Sequence, residues 1–306
     1  MNKTREPKNM AISVRDRLKS IQRRTGQDFN TLLVRYGIER FLFRLSCSNY
    51  RNRFVLKGAL LFAVWHELPH RITRDLDLLG FGDASLENIK EIFQALCHEP
   101  VEEDGILFNP ASVQVEPIRA QELYVGCRVT LQGRIGNARI PVQIDVGFGD
   151  ATAVDPVEIK FPSLIGMGAP SIRAYRMESA LAEKFEAIVT LGMLNSRMKD
   201  YFDVWFLGKH FSFNGQALVD SIRATFRRRG TVLTKNLPVG FTESFWGDPG
   251  RENLWRAFWK KSVKTEPMLS LKETASFAAS FLGPPAIAAA EENEFSCRWP
   301  SGGLWE

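Results

Sequence analysis

Two aspartates separated by one residue, Asp75 and Asp77, form the stretch of this 306-residue sequence best suited to chemistry. In a strand, alternate side chains point to the same face, so the two carboxylates would lie side by side. Such a pair is repulsive unless cations neutralise it, and hard ions such as Mg2+ prefer oxygen ligands. The pair therefore predicts a metal site, and the alternative is a solvated strand end.

A third carboxylate follows in the predicted strand 139–148, where apolar and polar residues alternate and Asp145 lies on the polar face. The glycines in 133–137 predict a hairpin turn into this strand. If the strand pairs beside that of Asp75 and Asp77, three carboxylates converge. Otherwise Asp145 is one more solvated aspartate.

A lysine–glycine pair, Lys57-Gly58, precedes a predicted buried helix over 59–65. Glycine allows close backbone approach, and the N–H groups at a helix start can hold phosphate. The pair is therefore a candidate nucleotide-binding element.

Three polar residues stand directly before the aspartates. Arg71 and Arg74 would contact a triphosphate or pair with carboxylates. Thr73 faces the same side as Asp75 in an extended chain, so its phosphorylation would add negative charge beside bound metal and switch the site off. A fully active Thr73→Glu variant would remove that hypothesis.

Lys184 lies within the apolar stripe of a predicted helix that begins at Tyr175. A lysine is rarely buried unless something negative meets it, so Lys184 is either a phosphate ligand or a packing residue whose ammonium reaches water. Asp200 and Asp203 share one face of the next helix. Either could position Lys184 or a substrate hydroxyl, or pair with neighbouring basic residues.

The order of predicted elements indicates an α+β fold, a mixed sheet with flanking helices followed by a helical C-terminal region. We predict four segments: a helical lead-in (1–50), a catalytic core (51–165), a helical C-terminal domain (166–283) and an irregular tail (284–306).

Composition and charge indicate which partners and which cellular compartment to expect. The net charge of +5 and the arginines clustered in 15–24 and 223–229 are consistent with a polyanionic partner, or with solvated helix faces. No apolar run is long enough for a membrane span, and the polar start does not resemble a signal peptide. The four cysteines are far apart, which favours a reducing cytoplasm over a disulfide framework.

Four ordered stretches carry a family resemblance: KG…RxTRDLDL, IDVGFGD, AEKFEAIV and SRMKDYFD. Over roughly residues 50–210 the chain resembles the AbiEii-type nucleotidyltransferase toxins, a branch of the DNA polymerase β-like nucleotidyltransferase superfamily. Ala59 departs from the superfamily pattern, which usually has Gly-Ser or Gly-Gly there, so the details of phosphate contact at this position differ.

The resemblance implies a nucleotidyltransferase-type sheet and two Mg2+ ions that bind an incoming NTP while an acceptor hydroxyl attacks its α-phosphorus. Asp75 and Asp77 would hold both metals, and Asp145 would hold the one nearer the hydroxyl. Gly58 and Lys184 would contact the triphosphate.

Asp200 or Asp203 would support Lys184 or the acceptor. Such proteins are toxins of bacterial toxin–antitoxin systems, so a cognate antitoxin protein is an expected partner. Some modify tRNA 3′ ends, so RNA is the expected acceptor.

Three other functions use the same residues. A catalytically silent protein would only bind nucleotide or RNA, a phosphotransferase would move the γ-phosphate, and a protein-nucleotidylating enzyme would use a protein hydroxyl. A third carboxylate favours an enzyme, because binding alone does not need it.

Overall fold

The structure is a computed structural model that describes residues 7–66, 75–118, 125–149, 155–263 and 266–306. The chain divides into two compact units. Among the described residues, the first unit holds those up to 149 together with 157–174, and the second holds 155–156 and everything from Tyr175 onwards.

In the part of the chain that the structure describes, the first unit combines four α-helices with seven strands. In chain order they are α1 (Pro7–Thr25), α2 (Phe29–Cys47), β1 (Phe54–Lys57), α3 (Phe62–Trp65), β2 (Asp75–Gly80), α4 (Leu86–Cys97), β3 (Leu107–Pro117), β4 (Val125–Ile135), β5 (Ala138–Phe148), β6 (Val157–Lys160) and β7 (Ser171–Ala174).

All seven strands belong to one mixed sheet with the order β3-β4-β5-β2-β1-β7-β6. β2 runs parallel to β5, and β1 runs parallel to β7. The predicted hairpin is present as β4–β5, whose two-residue turn has Gly136 in the left-handed region at φ 57°. Two-residue hairpin turns need positive φ, which glycine adopts at little cost.

One face of the β4–β5 hairpin is fully buried, because its apolar residues alternate with polar ones. α2 packs closely against β5 at Gly37, where an added Cβ would lie 2.8 Å from Cγ2 of Ile140. Arg40 and Arg44 of α2 bind the buried carboxylate of Asp104, which anchors the helix to the segment before β3.

Over its described residues, the second unit is helical apart from one short pair of strands. Its elements are α5 (Met177–Leu191), α6 (Met198–His210), β8 (Phe213–Asn214), α7 (Gly215–Arg229), α8 (Glu243–Trp246), α9 (Pro249–Ser262), α10 (Leu271–Glu291) and β9 (Arg298–Trp299). The aromatic residues Trp255 and Trp259 of α9 are buried, as expected for core positions.

Two expectations about the connecting segments are wrong. The Pro and Gly content of 155–172 predicts a connection without regular structure, but this stretch contains β6 and the first half of β7, because its short β-branched runs pair at the sheet edge. The first unit consequently extends to Ala174, beyond the predicted boundary at 165.

The tail predicted as irregular from 284 is also ordered. α10 continues through Pro284 and Pro285 to Glu291, because the alanine-rich run that follows has high helix propensity and buries one face. Trp299 is fully buried, and its indole Nε1 donates to the carbonyl of Gly208 at 2.7 Å.

The architecture confirms the predicted α+β fold, a mixed sheet with flanking helices and a helical C-terminal region. None of the helices in the described part of the chain has the length and apolar character needed to cross a membrane.

Candidate active site

A row of charged residues crosses five neighbouring strands of the first unit. Each residue of the row is the register partner of the next. In order across the sheet they are Lys57 (β1), Asp77 (β2), Asp145 (β5), Arg128 (β4) and Glu116 (β3). Direct cross-strand partners have side chains on the same face of a sheet, about 5 Å apart at Cβ. The two aspartate-bearing strands, whose pairing the sequence left open, are therefore neighbours, with Asp77 opposite Asp145.

Asp75 stands two residues before Asp77 on β2 and therefore shares its face. It is exposed, and its Oδ1 accepts a hydrogen bond of 3.1 Å from Nε2 of Gln143, its register partner on β5. The amide donor fixes the orientation of this carboxylate without adding a positive charge.

Asp145 is held by a two-point ion pair with Arg128. Nε of Arg128 lies 2.8 Å from Oδ1, and Nη2 lies 2.8 Å from Oδ2. The hydrogen bonds that Arg128 donates to Asp145, aided by the charges of Asp145, Asp75 and Asp77, raise the pKa of Arg128 above its ordinary value, so it remains a cation.

The three carboxylates suit a hard divalent cation, since they supply only anionic oxygen ligands on adjacent positions. Their present arrangement is not a finished metal centre. Among the described residues, no three His, Cys, Asp or Glu side chains are grouped so that they could hold a metal ion. Both oxygens of Asp145 are instead engaged by Arg128.

Gly58 follows β1 and adopts a left-handed conformation with φ 74°. An added Cβ would overlap the Asp77 carboxylate and lie 2.7 Å from its Cγ. The glycine therefore lets the backbone before the predicted 59–65 helix approach the carboxylate. That helix is present as a 3₁₀ turn over Gly58–Leu61 followed by α3.

In the second unit, Lys184 of α5 forms ion pairs with two buried aspartates of α6. Its Nζ lies 3.3 Å from Oδ1 of Asp200 and 2.6 Å from Oδ2 of Asp203. The lysine side chain is 12% exposed, while those of Asp200 and Asp203 are 1% and 0% exposed. Arg197 adds a contact of 2.8 Å to Oδ2 of Asp200. Two cations, Lys184 and Arg197, thus balance two buried carboxylates. The ammonium of Lys184 does not reach out to water but is held in an ion-pair cluster.

The arginine cluster in α7 divides between structural and exposed positions. Arg223 donates to the carbonyls of Ala288 and Asn293, and Arg229 pairs with Glu186. Both are therefore committed to packing, which weakens the expectation that the whole cluster binds a polyanion. Arg227 and Arg228 are exposed.

The N-terminal cluster is largely surface-exposed, with Arg17 donating to the carbonyl of Ile165. Three predicted site residues, Arg71, Thr73 and Arg74, lie outside the described residues.

Sequence reasoning missed three polar residues around the carboxylates: Arg128, Gln143 and Glu116. The signal for Arg128 was available in the hairpin. Counting seven residues outwards from the partners Ile135 and Ala138, on either side of the turn, reaches Arg128 and Asp145.

Comparison with solved structures finds proteins of similar fold. MenT4, a nucleotidyltransferase toxin from Mycobacterium tuberculosis, is similar with a TM-score of 0.51, covering 92% of this chain and 93% of that chain at 15% identity. JHP933 from Helicobacter pylori is similar with a TM-score of 0.43, covering 83% and 89% at 17% identity. No curated protein sequence matches the chain.

The family model for the nucleotidyl transferase AbiEii toxin of type IV toxin–antitoxin systems matches residues 40–286, so the chain belongs to that family. This confirms the resemblance and the assignment as a nucleotidyltransferase. Membership also implies a nucleotide substrate and an antitoxin partner.

Proposed function

We propose that this toxin transfers a nucleotide from an NTP to an RNA acceptor, such as the 3′ end of a tRNA, in a Mg2+-dependent reaction. The observation that carries the proposal is the register of β2 and β5, which makes Asp77 and Asp145 neighbours with Asp75 on the same face. A structural role would not require three acidic side chains on neighbouring positions of two interior strands, where like charges opposite each other are destabilising.

Asp75, Asp77 and Asp145 would hold the divalent ions. When bound, two such ions stabilise the charge on the attacking and leaving oxygens of an in-line displacement. Gln143 orients Asp75 through its amide donor, so that carboxylate is pre-positioned. Gly58 allows the chain to pass beside Asp77, and Lys57 is the register partner of Asp77 on the side away from Asp145.

Lys184 would serve the same reaction as a phosphate ligand. Asp200 and Asp203 hold its ammonium from two directions. Because the lysine is already ordered, less side-chain entropy would be lost when it binds a phosphate. Both aspartates are then positioning residues rather than groups that touch the substrate.

A label-transfer experiment tests the proposal. Purified protein with Mg2+ would receive each of the four NTPs, labelled at the α-phosphate or at the γ-phosphate, together with total tRNA. Transfer of α-label to RNA is expected, and one NTP would dominate if the enzyme prefers a base. EDTA should abolish the transfer.

The double variant Asp75→Ala/Asp77→Ala should lose transfer, whereas Asp220→Ala, an exposed aspartate of α7, should retain it. Label in protein instead of RNA would make the acceptor assignment wrong. Transfer of γ-label alone would indicate a phosphotransferase, and saturable NTP binding without any transfer would indicate a silent binder.

A further inference from the structure

The Arg128 guanidinium occupies the position where a cation is needed to neutralise the carboxylates of the first unit. It contacts both oxygens of Asp145, and Asp145 is itself the register partner of Asp77. A guanidinium and a carboxylate match in a bidentate geometry that is stronger than a single-point contact. While this pair persists, a metal ion must compete with the guanidinium for the oxygens of Asp145.

Arg128 also has a second carboxylate within reach. Glu116 of β3 is its register partner on the side away from Asp145, and Glu116 is exposed. Among the described residues, Glu116 forms no ion pair. The Arg128 side chain is 45% exposed, so a change of rotamer towards β3 meets little steric resistance.

We propose that Arg128 is a resident counter-cation that leaves Asp145 for Glu116 when a divalent ion binds the carboxylates. The inference rests on the proposed metal dependence, and it assigns two residues that the family motifs do not contain. The exchange keeps Asp145 beside a positive charge in both states, and it gives Glu116 a counter-cation in the metal-bound state. It also makes metal binding a competition, so the affinity for the ion is set by Arg128 and Glu116 as well as by the ligands.

The exchange predicts opposite effects for two substitutions. Arg128→Gln removes the competitor and should tighten Mn2+ binding by about fivefold to tenfold, since tenfold corresponds to about 1.4 kcal/mol. Glu116→Gln removes the carboxylate to which Arg128 moves when the metal ion binds. It should weaken Mn2+ binding by about twofold to fivefold, which is a smaller change in binding free energy than that of Arg128→Gln.

The matched control is Arg134→Gln. Arg134 lies on the same strand and the same face as Arg128, six residues away, which is about 20 Å. It removes the same formal charge without touching Asp145. Any gain in Mn2+ affinity in Arg134→Gln measures the effect of net charge alone. That effect is small, because salt screens charges at such a separation.

Free Mn2+ would be measured by electron paramagnetic resonance during titration of the wild-type chain, the three variants and Asp77→Asn. A dissociation constant for Arg128→Gln equal to that of Arg134→Gln overturns the inference, and so does a Glu116→Gln value equal to wild type. If Asp77→Asn binds Mn2+ as tightly as wild type, the carboxylates are not the metal site and the proposed function fails with the inference.

A second measurement does not depend on how the variants fold. Phenylglyoxal modifies accessible guanidinium groups, and peptide mass spectrometry gives the rate at each arginine. In the wild-type chain, Mg2+ should raise the rate at Arg128 and leave that at Arg134 unchanged. An Arg128 rate that Mg2+ leaves unchanged or lowers would contradict the exchange.

Discussion

Nζ of Lys184 lies 2.6 Å from Oδ2 of Asp203, a carboxylate with no exposed surface. Removing one partner of a buried ion pair leaves an uncompensated charge, which typically destabilises by about 3–5 kcal/mol. Lys184→Met leaves both Asp200 and Asp203 without this cation and should lower the unfolding free energy of the second unit by about 3 kcal/mol.

Tryptophan fluorescence during urea unfolding checks this value, because six of the seven tryptophans belong to the second unit. Lys199→Met, at an exposed position directly before Asp200, should change the unfolding free energy by less than about 0.5 kcal/mol. Equal midpoints for the two variants would mean that the pair contributes nothing to stability.

Asp145→Asn should separate catalysis from folding. The amide keeps the shape of the side chain but loses the charge that a divalent ion needs, so nucleotide transfer should fall by at least about a hundredfold. The melting temperature should change little, because the substitution removes both the repulsion from Asp77 and the attraction to the partly exposed Arg128. Transfer rates and thermal melts of this variant and of Asp220→Asn provide the comparison; retained transfer by Asp145→Asn would argue against its role as a ligand.

Gly58→Ala should be far more harmful than another glycine substitution with similar backbone strain. Gly58 and Gly136 both have positive φ, at 74° and 57°. A Cβ at Gly136 has nothing within 4 Å, whereas one at Gly58 overlaps Asp77. Gly136→Ala should therefore lower the unfolding free energy by about 1–2 kcal/mol, because of its backbone conformation alone. Gly58→Ala should lower it further and should abolish nucleotide transfer. Thermal melts and transfer assays test this, and equal losses in the two variants would show that the contact with Asp77 is unimportant.

Two buried cysteines should resist alkylation at moderate pH. Burial raises the pKa of Cys97 and of Cys127 to about 11, and the charge of Asp145 adds to the effect at Cys127. A raised thiol pKa favours the neutral form, so the reactive thiolate appears only as the pH rises towards 11. At pH 8 about one molecule in a thousand carries it.

Iodoacetamide at pH 8 should therefore label the exposed Cys47 and spare Cys97 and Cys127. Mass spectrometry of tryptic peptides gives the site occupancies. In guanidinium chloride all four cysteines should react, and rapid labelling of Cys127 in the folded protein would contradict its burial.

The hydrophobic pattern of the sequence predicted most helices and strands of the first unit. In β5, for example, the alternation of apolar and polar residues determines which face of the sheet Asp145 occupies. The convergence of Asp145 on Asp77 could be stated only as a condition, since it depends on which strands become neighbours, a long-range choice that no local pattern encodes. The pairing of Lys184 with Asp200 and Asp203 was an open alternative, because helical spacing places the charges on faces without saying which faces meet.

The errors arose where tertiary packing overrode local signals. Pro284 and Pro285 indicated the end of a helix, but burial of the residues around them keeps α10 continuous. The Pro- and Gly-rich residues 161–170 hid the strands on either side, because β6 and β7 have only four residues each and depend on the sheet edge for their hydrogen bonds.

The parallel pairing of β2 with β5 has a consequence for how the chain folds. Gln143 and Asp75 meet across 68 residues of sequence, whereas the β4–β5 hairpin closes through two residues. Contacts between distant segments form slowly, because a long loop must be closed before the contact compensates for the lost entropy. The carboxylates should therefore assemble late in folding, so partly folded chains would carry all three aspartates and yet have no toxic activity.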